Sequence, residues 1–344
     1  MKDKISLIVT SLVAIGIIVV GWVAGFEISE LQKDTLVILG IICAVSVAYC
    51  FIAGELSRNN SQMDKLWSVL PIVYAFVIMV KGGFRIRLIL IAIVVTLWGA
   101  RLTYNFAKKG AYSLKFWQGE EDYRWKYLRG QKPFTNKLIW AVFDLFFISF
   151  YQNAVVLLIT LPGVAVMEST ASIGVVDILS FVFALGFLSY EVIADRQQNA
   201  FQVKKYEYLN SGMKLNELPA PYNRGFCVKG LWKRSRHPNY LGEQGIWVSL
   251  YTFVIGAGVA TWGVFNWSVT GCMLLILIFA GSSRMAESIS TSKYDLYPGY
   301  IKGVFKYLPL KAYKEVGGKD DETVNVNGWW IWRCWSNRYN GCFN

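Results

Sequence analysis

Residues Ile86–Ala107 read IRLILIAIVVTLWGARLTYNFA, and this stretch sets the class of fold that the chain can adopt. An α-helix needs about 20 mostly apolar residues to cross the hydrocarbon core of a bilayer, which is ~30 Å thick. The stretch meets that length, and Arg101 and Tyr104 lie near its end. It therefore predicts a membrane-spanning helix whose last turns approach water.

Runs of the same kind recur from end to end of the chain. The 344 residues are 54% hydrophobic and only 17% charged, which is typical of a polytopic membrane protein rather than a soluble enzyme. The candidate spans are Ile5–Phe26, Thr35–Gly54, Leu66–Val80, Ile86–Ala107, Leu138–Leu161, Ile173–Asp195, Tyr240–Gly258 and Trp262–Gly281. The third is short and contains Pro71, so we expect an all-α membrane helix bundle of about seven or eight transmembrane helices.

The end of the chain does not continue this pattern. We expect a single transmembrane domain over residues 1–310. Residues 311–344 begin as a polar linker and end in the tryptophan-rich sequence GWWIWRCWSNRYNGCFN. We expect this tail to have no part in the chemistry.

Basic residues are concentrated between the apolar runs. The formal net charge is +12, and the loops Lys108–Lys137 and Arg196–Tyr240 carry most of the basic residues between runs. Such loops usually face the cytoplasm, and they suit the membrane surface or an anionic cofactor. The sequence contains no nucleic-acid-binding motif. With one histidine and no C-x-x-C spacing among six cysteines, it indicates no metal site and no disulfide framework.

One basic loop leads directly into a helix start. Gly230–Trp247 reads GLWKRSRHPNYLGEQGIW and contains His237, the only histidine. Pro238 suits a first helical position, where its missing N–H costs nothing. A helix start exposes unpaired backbone N–H groups, so basic residues beside it make an anion site, most naturally for phosphate. The simpler interpretation, a basic loop at the membrane edge capped by a helix, stays open.

Ionisable groups also occur inside the apolar runs, where they are expensive and often functional. Glu191 and Asp195 are four residues apart and share one helical face. Asp195 and Glu243 can line one cavity that faces the cytoplasm. The alternative for each is a hydrogen bond between helices that only fixes their packing.

These motifs together resemble a known family. The block G-L-W-K-R-S-R-H-P-N-Y-L-G-E, preceded by Glu191 and Asp195, resembles the steroid 5-alpha-reductase-like integral membrane family, in particular its largely bacterial branch. The resemblance covers roughly residues 55–310 and extends to Asn59–Trp67 and Trp98–Asn105. Sterol reductases share the W…R-H-x-N-Y core, and isoprenylcysteine and phospholipid methyltransferases share R-H-P-x-Y-x-G.

The resemblance implies that the half over residues 191–300 binds NADPH from the cytoplasmic side. Gln198 and Gln202 stand where that family usually has basic residues. The cofactor-binding residues that it implies are Asp195, Trp232, Arg236, His237, Asn239, Tyr240 and Glu243, with Glu287, Tyr294 and Tyr297 closing the pocket. In the N-terminal half, it implies Asp64 and Tyr104 as the catalytic carboxylate and phenol.

Three functions follow as hypotheses. The first is a reductase of the C=C bond of an enone in a steroid-like or other lipid substrate that enters from the bilayer, by hydride transfer to the β-carbon. The second is an S-adenosylmethionine-dependent methyltransferase of a lipid or prenylated acceptor. S-adenosylmethionine lacks the phosphates that a basic loop would bind, which argues against this hypothesis. The third is a non-enzymatic membrane transporter. In each case the membrane would be a bacterial inner membrane or the endoplasmic reticulum.

Overall fold

The computed structural model describes residues 2–24, 27–108, 110–115 and 117–313. Nearly all of the tryptophan-rich tail therefore lies outside the described residues. Within the described ranges the chain forms helices and no strand, apart from two isolated bridges. The α-helices are α1 (Lys2–Ala24), α2 (Glu30–Ser57), α3 (Gln62–Leu66), α4 (Leu70–Lys81), α5 (Ile86–Ala107), α6 (Tyr123–Arg129), α7 (Lys137–Phe143), α8 (Gln152–Leu158), α9 (Leu161–Val166), α10 (Val175–Asn210), α11 (Pro238–Gly256), α12 (Thr270–Lys293) and α13 (Tyr297–Gly303).

Six helical segments of the described chain are long and apolar enough to cross a membrane. They are Ser6–Val23, Glu30–Ser57, Ile86–Ala107, Lys137–Val166, Val175–Asn210 and Trp267–Lys293. The prediction of an all-α, multi-pass membrane bundle is confirmed. The expected seven or eight spans are reached if one or both of α4 and α11 also cross. α4 has 12 residues, which is short for a span, and α11 carries Glu243 and Gln244 in its first turns.

The fourth of these segments is not a uniform α-helix. Between α7 and α8 the backbone is π-helical over Asp144–Tyr151. π-Helical turns are rare and occur frequently at functional sites. This segment contains the buried Asp144, and Ser149 donates to its carboxylate at 3.4 Å.

The described chain divides into two compact units. The larger unit comprises residues 1–190 and 242–284, and its core contains Tyr74, Trp98 and Trp247, each at most 1% exposed. Glycines let its helices approach closely. A Cβ on Gly99 of α5 would lie 2.4 Å from the Ser68 carbonyl oxygen, and one on Gly271 of α12 would lie 2.1 Å from the Leu158 backbone.

A buried ion pair joins α5 to α10 inside the larger unit. Arg87 donates from Nε to Asp177 Oδ1 at 2.7 Å and from Nη2 to Oδ2 at 2.8 Å. The arginine also donates to the carbonyls of Ala171 and Ser172, and Asp177 accepts from Gly174 N–H. Both charges are thus satisfied where water is absent, which a buried pair requires.

The smaller unit comprises residues 191–241 and 285–344, of which the structure describes those up to 313. Its core is small and aromatic. The buried members are Phe226, Val228, Tyr297, Tyr300 and Val304. This core packs around the loop that precedes α11, so it positions the R-H-P-N-Y motif.

Candidate functional site

The R-H-P-N-Y motif of the smaller unit is fixed by its backbone. Arg236 N–H donates to the Phe305 carbonyl at 3.1 Å, and His237 N–H donates to the Lys306 carbonyl at 3.0 Å. The Tyr300 hydroxyl donates to the carbonyls of Trp232 and Ser235. The segment after α13 and the aromatic core therefore hold the motif in one conformation before any ligand binds.

Arg236 and His237 share one carboxylate. His237 Nε2 lies 2.9 Å from Glu287 Oε1, and Arg236 Nε lies 2.9 Å from the same oxygen. Arg236 also donates from Nη1 to the Ile301 carbonyl at 2.8 Å. All three residues are buried, at most 8% exposed. The structure thus brings together three of the predicted cofactor-binding residues.

The imidazole of this cluster is held in its neutral form. Burial lowers the pKa of His237, and the nearby Arg236 and Lys306 charges lower it further, although Glu287 acts in the opposite direction. The ring of Tyr240 stacks on the imidazole, with centroids 5.1 Å apart and planes 13° from parallel. The motif therefore presents a flat, uncharged stack beside the positive start of α11.

In the described part of the smaller unit, two amide oxygens are buried without a hydrogen-bond partner. They are Asn239 Oδ1, in the first turn of α11, and Gln198 Oε1 of α10. A buried acceptor without a donor costs about 1–3 kcal/mol, and such atoms are rare in folded proteins. A ligand with N–H or O–H donors would remove that cost.

The basic loop before the motif is anchored to α10. Leu231 N–H donates to Gln197 Oε1 at 2.8 Å, and the Trp232 indole donates to the Ala194 carbonyl at 2.9 Å. Gly230 has φ of 59°, and a Cβ there would lie 2.4 Å from the Gln197 amide, so only glycine fits. The cationic residues of this loop are left at the surface, and they are Lys229, Lys233 and Arg234.

The remaining predicted residues of the smaller unit are Asp195, Tyr294 and Tyr297. Asp195 is half-buried on α10, one turn after Glu191. Burial raises the pKa of Tyr297 to about 12, so the phenol keeps its proton. Tyr294 accepts from the buried Lys205 ammonium at 3.4 Å. All three lie in the unit that contains the motif.

Glu243 belongs to a cluster in the larger unit. Its carboxylate accepts from the indole of Trp98 at 2.8 Å and from that of Trp247 at 3.1 Å, and Arg101 lies 4.0 Å away. The two indoles are in T-shaped contact, with centroids 5.0 Å apart. The sequence could have indicated Trp247 as a partner, because it stands four residues after Glu243 on one helix. Trp98 is far away in the chain, and no local pattern identifies it.

Asp64 is the half-buried acid of the segment that follows α2. Its carboxylate accepts from the Trp125 indole at 2.7 Å and faces Arg124 at 3.4 Å. Burial raises the pKa of Asp64, and the Arg124 charge opposes that rise. The sequence alone did not identify Trp125 or Arg124 as its partners.

The same segment is unusually rich in buried polar side chains. Lys65, which has no exposed surface, donates to the Gln118 carbonyl at 2.6 Å. Gln62 donates to the Trp117 carbonyl, and Asn59 donates to the Gly119 carbonyl, both at 2.9 Å. These contacts tie residues 59–65 to the loop that precedes α6.

Tyr104, the predicted phenol, lies on α5. It is 51% exposed, and the Lys108 ammonium lies 4.4 Å from its ring centroid. In the described part of the chain no hydrogen bond joins Tyr104 to Asp64. The catalytic pairing of these two residues therefore stays a prediction.

Comparison with known proteins identifies a family. The Schizosaccharomyces pombe protein named "Uncharacterized protein C594.04c" is 33% identical over 273 residues, which are 74% of this chain and 73% of that protein. No solved structure matches the chain. The model of the family described as "Protein of unknown function (DUF1295)" matches residues 50–304. Since this match covers well over half of the sequence, the chain belongs to the DUF1295 family.

Proposed function

We propose that this protein is a membrane-embedded, NADPH-dependent reductase of the C=C bond of an enone in a steroid-like or other lipid substrate. The observation that carries the proposal is the pair of buried amide oxygens without donors, Asn239 Oδ1 and Gln198 Oε1, in the unit that holds the R-H-P-N-Y motif. The resemblance of that motif to the steroid 5-alpha-reductase-like family supports the same assignment.

The donor and acceptor chemistry of the smaller unit fits a phosphorylated dinucleotide. A nicotinamide carboxamide carries an N–H₂ donor, and each ribose carries O–H donors, which match acceptors that lack a partner. The anionic phosphates match the exposed Lys229, Lys233 and Arg234 and the start of α11. His237 and Tyr240 offer a stacked aromatic surface for a flat ring.

The bound cofactor would supply the hydride that adds to the β-carbon of the enone. Tyr104 would donate a hydrogen bond to the substrate oxygen, where negative charge develops as an enolate. A proton from water would then add to the α-carbon and complete the reduction. Burial keeps part of the Asp64 population protonated at a higher pH than usual, because it raises the pKa of that carboxyl. Asp64 would hold the carbonyl end of the substrate.

The methyltransferase hypothesis predicts a different ligand. S-adenosylmethionine is a cation without phosphates, so Lys229, Lys233 and Arg234 would have no role in its binding. The two hypotheses are therefore separated by which cofactor binds, before any substrate is known.

The first experiment is a thermal-shift comparison of NADPH, NADH and S-adenosylmethionine on the detergent-purified protein. A ligand that binds only the folded state raises its apparent stability. The test variant is Asn239→Ala, and the matched control is Asn223→Ala, an exposed asparagine in the same unit. Because Asn239 Oδ1 has no partner, the alanine variant should be as stable as the native protein without ligand.

We expect NADPH to stabilise the native protein and the Asn223→Ala control, and to lose at least tenfold in affinity for Asn239→Ala. Stabilisation by S-adenosylmethionine alone would overturn the reductase and favour the methyltransferase. The absence of any response to the three cofactors would leave the motif as a helix cap at the membrane edge.

A further inference from the structure

A groove of about 940 Å³ opens on the larger unit, and none of the residues assigned to catalysis or cofactor binding lines it. One wall is the end of α2, with Ile52 and Leu56, and the floor includes Asn59. The opposite wall is formed by residues 117–121 and by Lys126 of α6. The volume lies within the range of small-molecule sites, roughly 300–1,000 Å³.

The wall formed by residues 117–121 is held in place by hydrogen bonds within the protein. Three consecutive carbonyls, those of Trp117, Gln118 and Gly119, each accept from a buried side chain of the 59–65 segment. Gly119 has φ of 116°, and a Cβ there would lie 2.1 Å from the Ala111 carbonyl oxygen, so this turn requires glycine. The wall therefore has a fixed shape.

Three charged side chains of the groove have no hydrogen bond or ion pair with the described part of the chain. They are Arg58, Lys126 and Glu120, and all three are exposed. Glu121 also lines the groove, but it is occupied by Arg129 and by Asn60 N–H. The groove thus offers two cations and one carboxylate to a ligand.

Along α2 the groove changes from apolar to cationic, which matches the order of acyl chain and phosphate in a phospholipid. Ile52 and Leu56 are 56% and 82% exposed on a helix that is long and apolar enough to cross the membrane, so they face lipid chains. Arg58 caps the end of that helix. At 1.5 Å per residue, the apolar Ile52 and the cationic Arg58 are separated by about 9 Å along the helix axis. An apolar chain followed by an anionic group at the membrane boundary matches this order.

We propose that this groove binds one phospholipid of the surrounding bilayer, with its phosphodiester against Arg58 and Lys126 and an acyl chain along Ile52 and Leu56. Glu120 accepts from an N–H or O–H donor of the head group. Glycerol and ethanolamine head groups carry such donors, and a choline head group does not. This site is independent of the proposed reductase, because none of its residues is assigned to that reaction.

The test is native mass spectrometry of the full chain in detergent, after incubation with single lipids that share dioleoyl chains. The lipids are phosphatidylglycerol, phosphatidylethanolamine, phosphatidylcholine and diacylglycerol, and the last lacks the phosphodiester. The test variant is Arg58→Gln/Lys126→Gln. The matched control is Lys132→Gln/Lys137→Gln, which removes two exposed cations outside the groove.

We expect one phosphatidylglycerol or phosphatidylethanolamine to be retained by the native protein and the control, with phosphatidylcholine weaker and diacylglycerol weakest. Because the variant removes both cations that face the phosphodiester, we expect it to bind these lipids at least tenfold more weakly. Equal retention of diacylglycerol, or unchanged binding by the Arg58→Gln/Lys126→Gln variant, would overturn the proposal. Displacement of the lipid by millimolar glycerol 3-phosphate would reassign the groove to a soluble phosphate.

Discussion

At the scale of the residue, His237 reports on the R-H-P-N-Y motif, because it is the only histidine in the chain and its titration can be measured without overlap from another. Its imidazole lies between the Glu287 carboxylate and the Tyr240 ring, and Arg236 binds the same carboxylate. Burial outweighs the attraction of Glu287 and lowers the pKa of the ring. The neutral ring is therefore the form that the fold stabilises.

This depressed pKa predicts a pH dependence of stability with a definite sign. Below the unfolded pKa of about 6.5, the unfolded chain binds a proton that the folded chain excludes, so stability falls as the pH falls from about 7 towards 5. We expect His237→Gln to reduce this fall, measured as the change in Tm between pH 7.5 and 5.5. An NMR titration of the native protein, in which one histidine signal appears, should give a midpoint below 6.5. A midpoint above 6.5 would contradict the assignment.

A second residue-scale feature is the carboxylate of Glu243, which accepts hydrogen bonds from two indoles. Replacing Trp98 with phenylalanine removes the 2.8 Å hydrogen bond and keeps most of the ring. Because hydrogen bonds to charged groups contribute about 1.5–3 kcal/mol, we expect Trp98→Phe to destabilise the protein by about that amount. The matched control is Trp22→Phe, which removes an exposed indole donor to Thr270 and should cost under about 1 kcal/mol. Equal losses of Tm in the two variants would argue against a special role for the Glu243 cluster.

At the scale of the element, the pairing of α5 with α10 depends on one ion pair between their first turns. Arg87 and Asp177 are 4% and 0% exposed, and each charge is compensated by the other and by backbone groups. Neither side chain would be tolerated alone in an apolar surrounding. The pair therefore specifies which turn of α5 meets which turn of α10.

Breaking this pair should be more costly than removing both of its charges. We expect Arg87→Met to destabilise the protein by about 3–5 kcal/mol, because it leaves Asp177 buried without its cation. The double variant Arg87→Met/Asp177→Asn should recover part of that loss. The measurement is a double-mutant cycle, in which the stability of the native protein, both single variants and the double variant is compared by thermal unfolding. Additive losses, with no recovery in the double variant, would show that the two charges do not interact.

The elements also show which predictions the sequence could support. Six of the eight predicted apolar runs coincide with a helix long and apolar enough to cross the membrane, since length and hydropathy fix a span, and Tyr240–Gly258 does not. Leu66–Val80 was predicted as a candidate span, but it begins with α3 and a turn, and only Leu70–Lys81 is a continuous apolar helix. Pro71 at the start of α4 explains the boundary. The start of α11 at Pro238 was also predicted correctly.

The candidate site was predictable only in part, because local patterns do not specify distant partners. The sequence identified Arg236 and His237 and the resemblance added Glu287, and the structure places these three together. It did not reveal that Asp64 accepts from Trp125 or that Glu243 accepts from Trp98, which lies 145 positions away. Such contacts arise from the packing of the helices.

At the scale of the whole molecule, the spans fix which loops share a side of the membrane. α10 is a single span, so the turn before it, which has no basic residue, and the basic loop after it should lie on opposite sides. Because Arg196–Tyr240 is rich in Lys and Arg, we expect that loop to face the cytoplasm.

Labelling with a membrane-impermeant thiol reagent in intact cells measures this topology. In a background with all six cysteines replaced by serine, Met213→Cys should be protected and Ser172→Cys should react. Both positions are exposed in the structure, so a difference reports the side of the membrane. Labelling of Met213→Cys from outside, with Ser172→Cys protected, would reverse the orientation and place the basic loop away from cytoplasmic NADPH.

The π-helical segment Asp144–Tyr151 has a consequence for how the gene can change. A π turn contains more residues than an α turn, so the segment holds surplus length without interrupting the helix. Deleting one residue there would convert the wide turn to a regular α turn, and the residues that follow would keep nearly their present orientation, because the π turn already absorbs the extra residue. Gln152 and Asn153 would then keep the face on which Asn153 approaches Cys50. A one-codon deletion at this point would keep a membrane span of nearly the same length with its polar side chains towards the same neighbour, whereas a one-codon deletion in a regular α-helix would turn the residues that follow by about 100°.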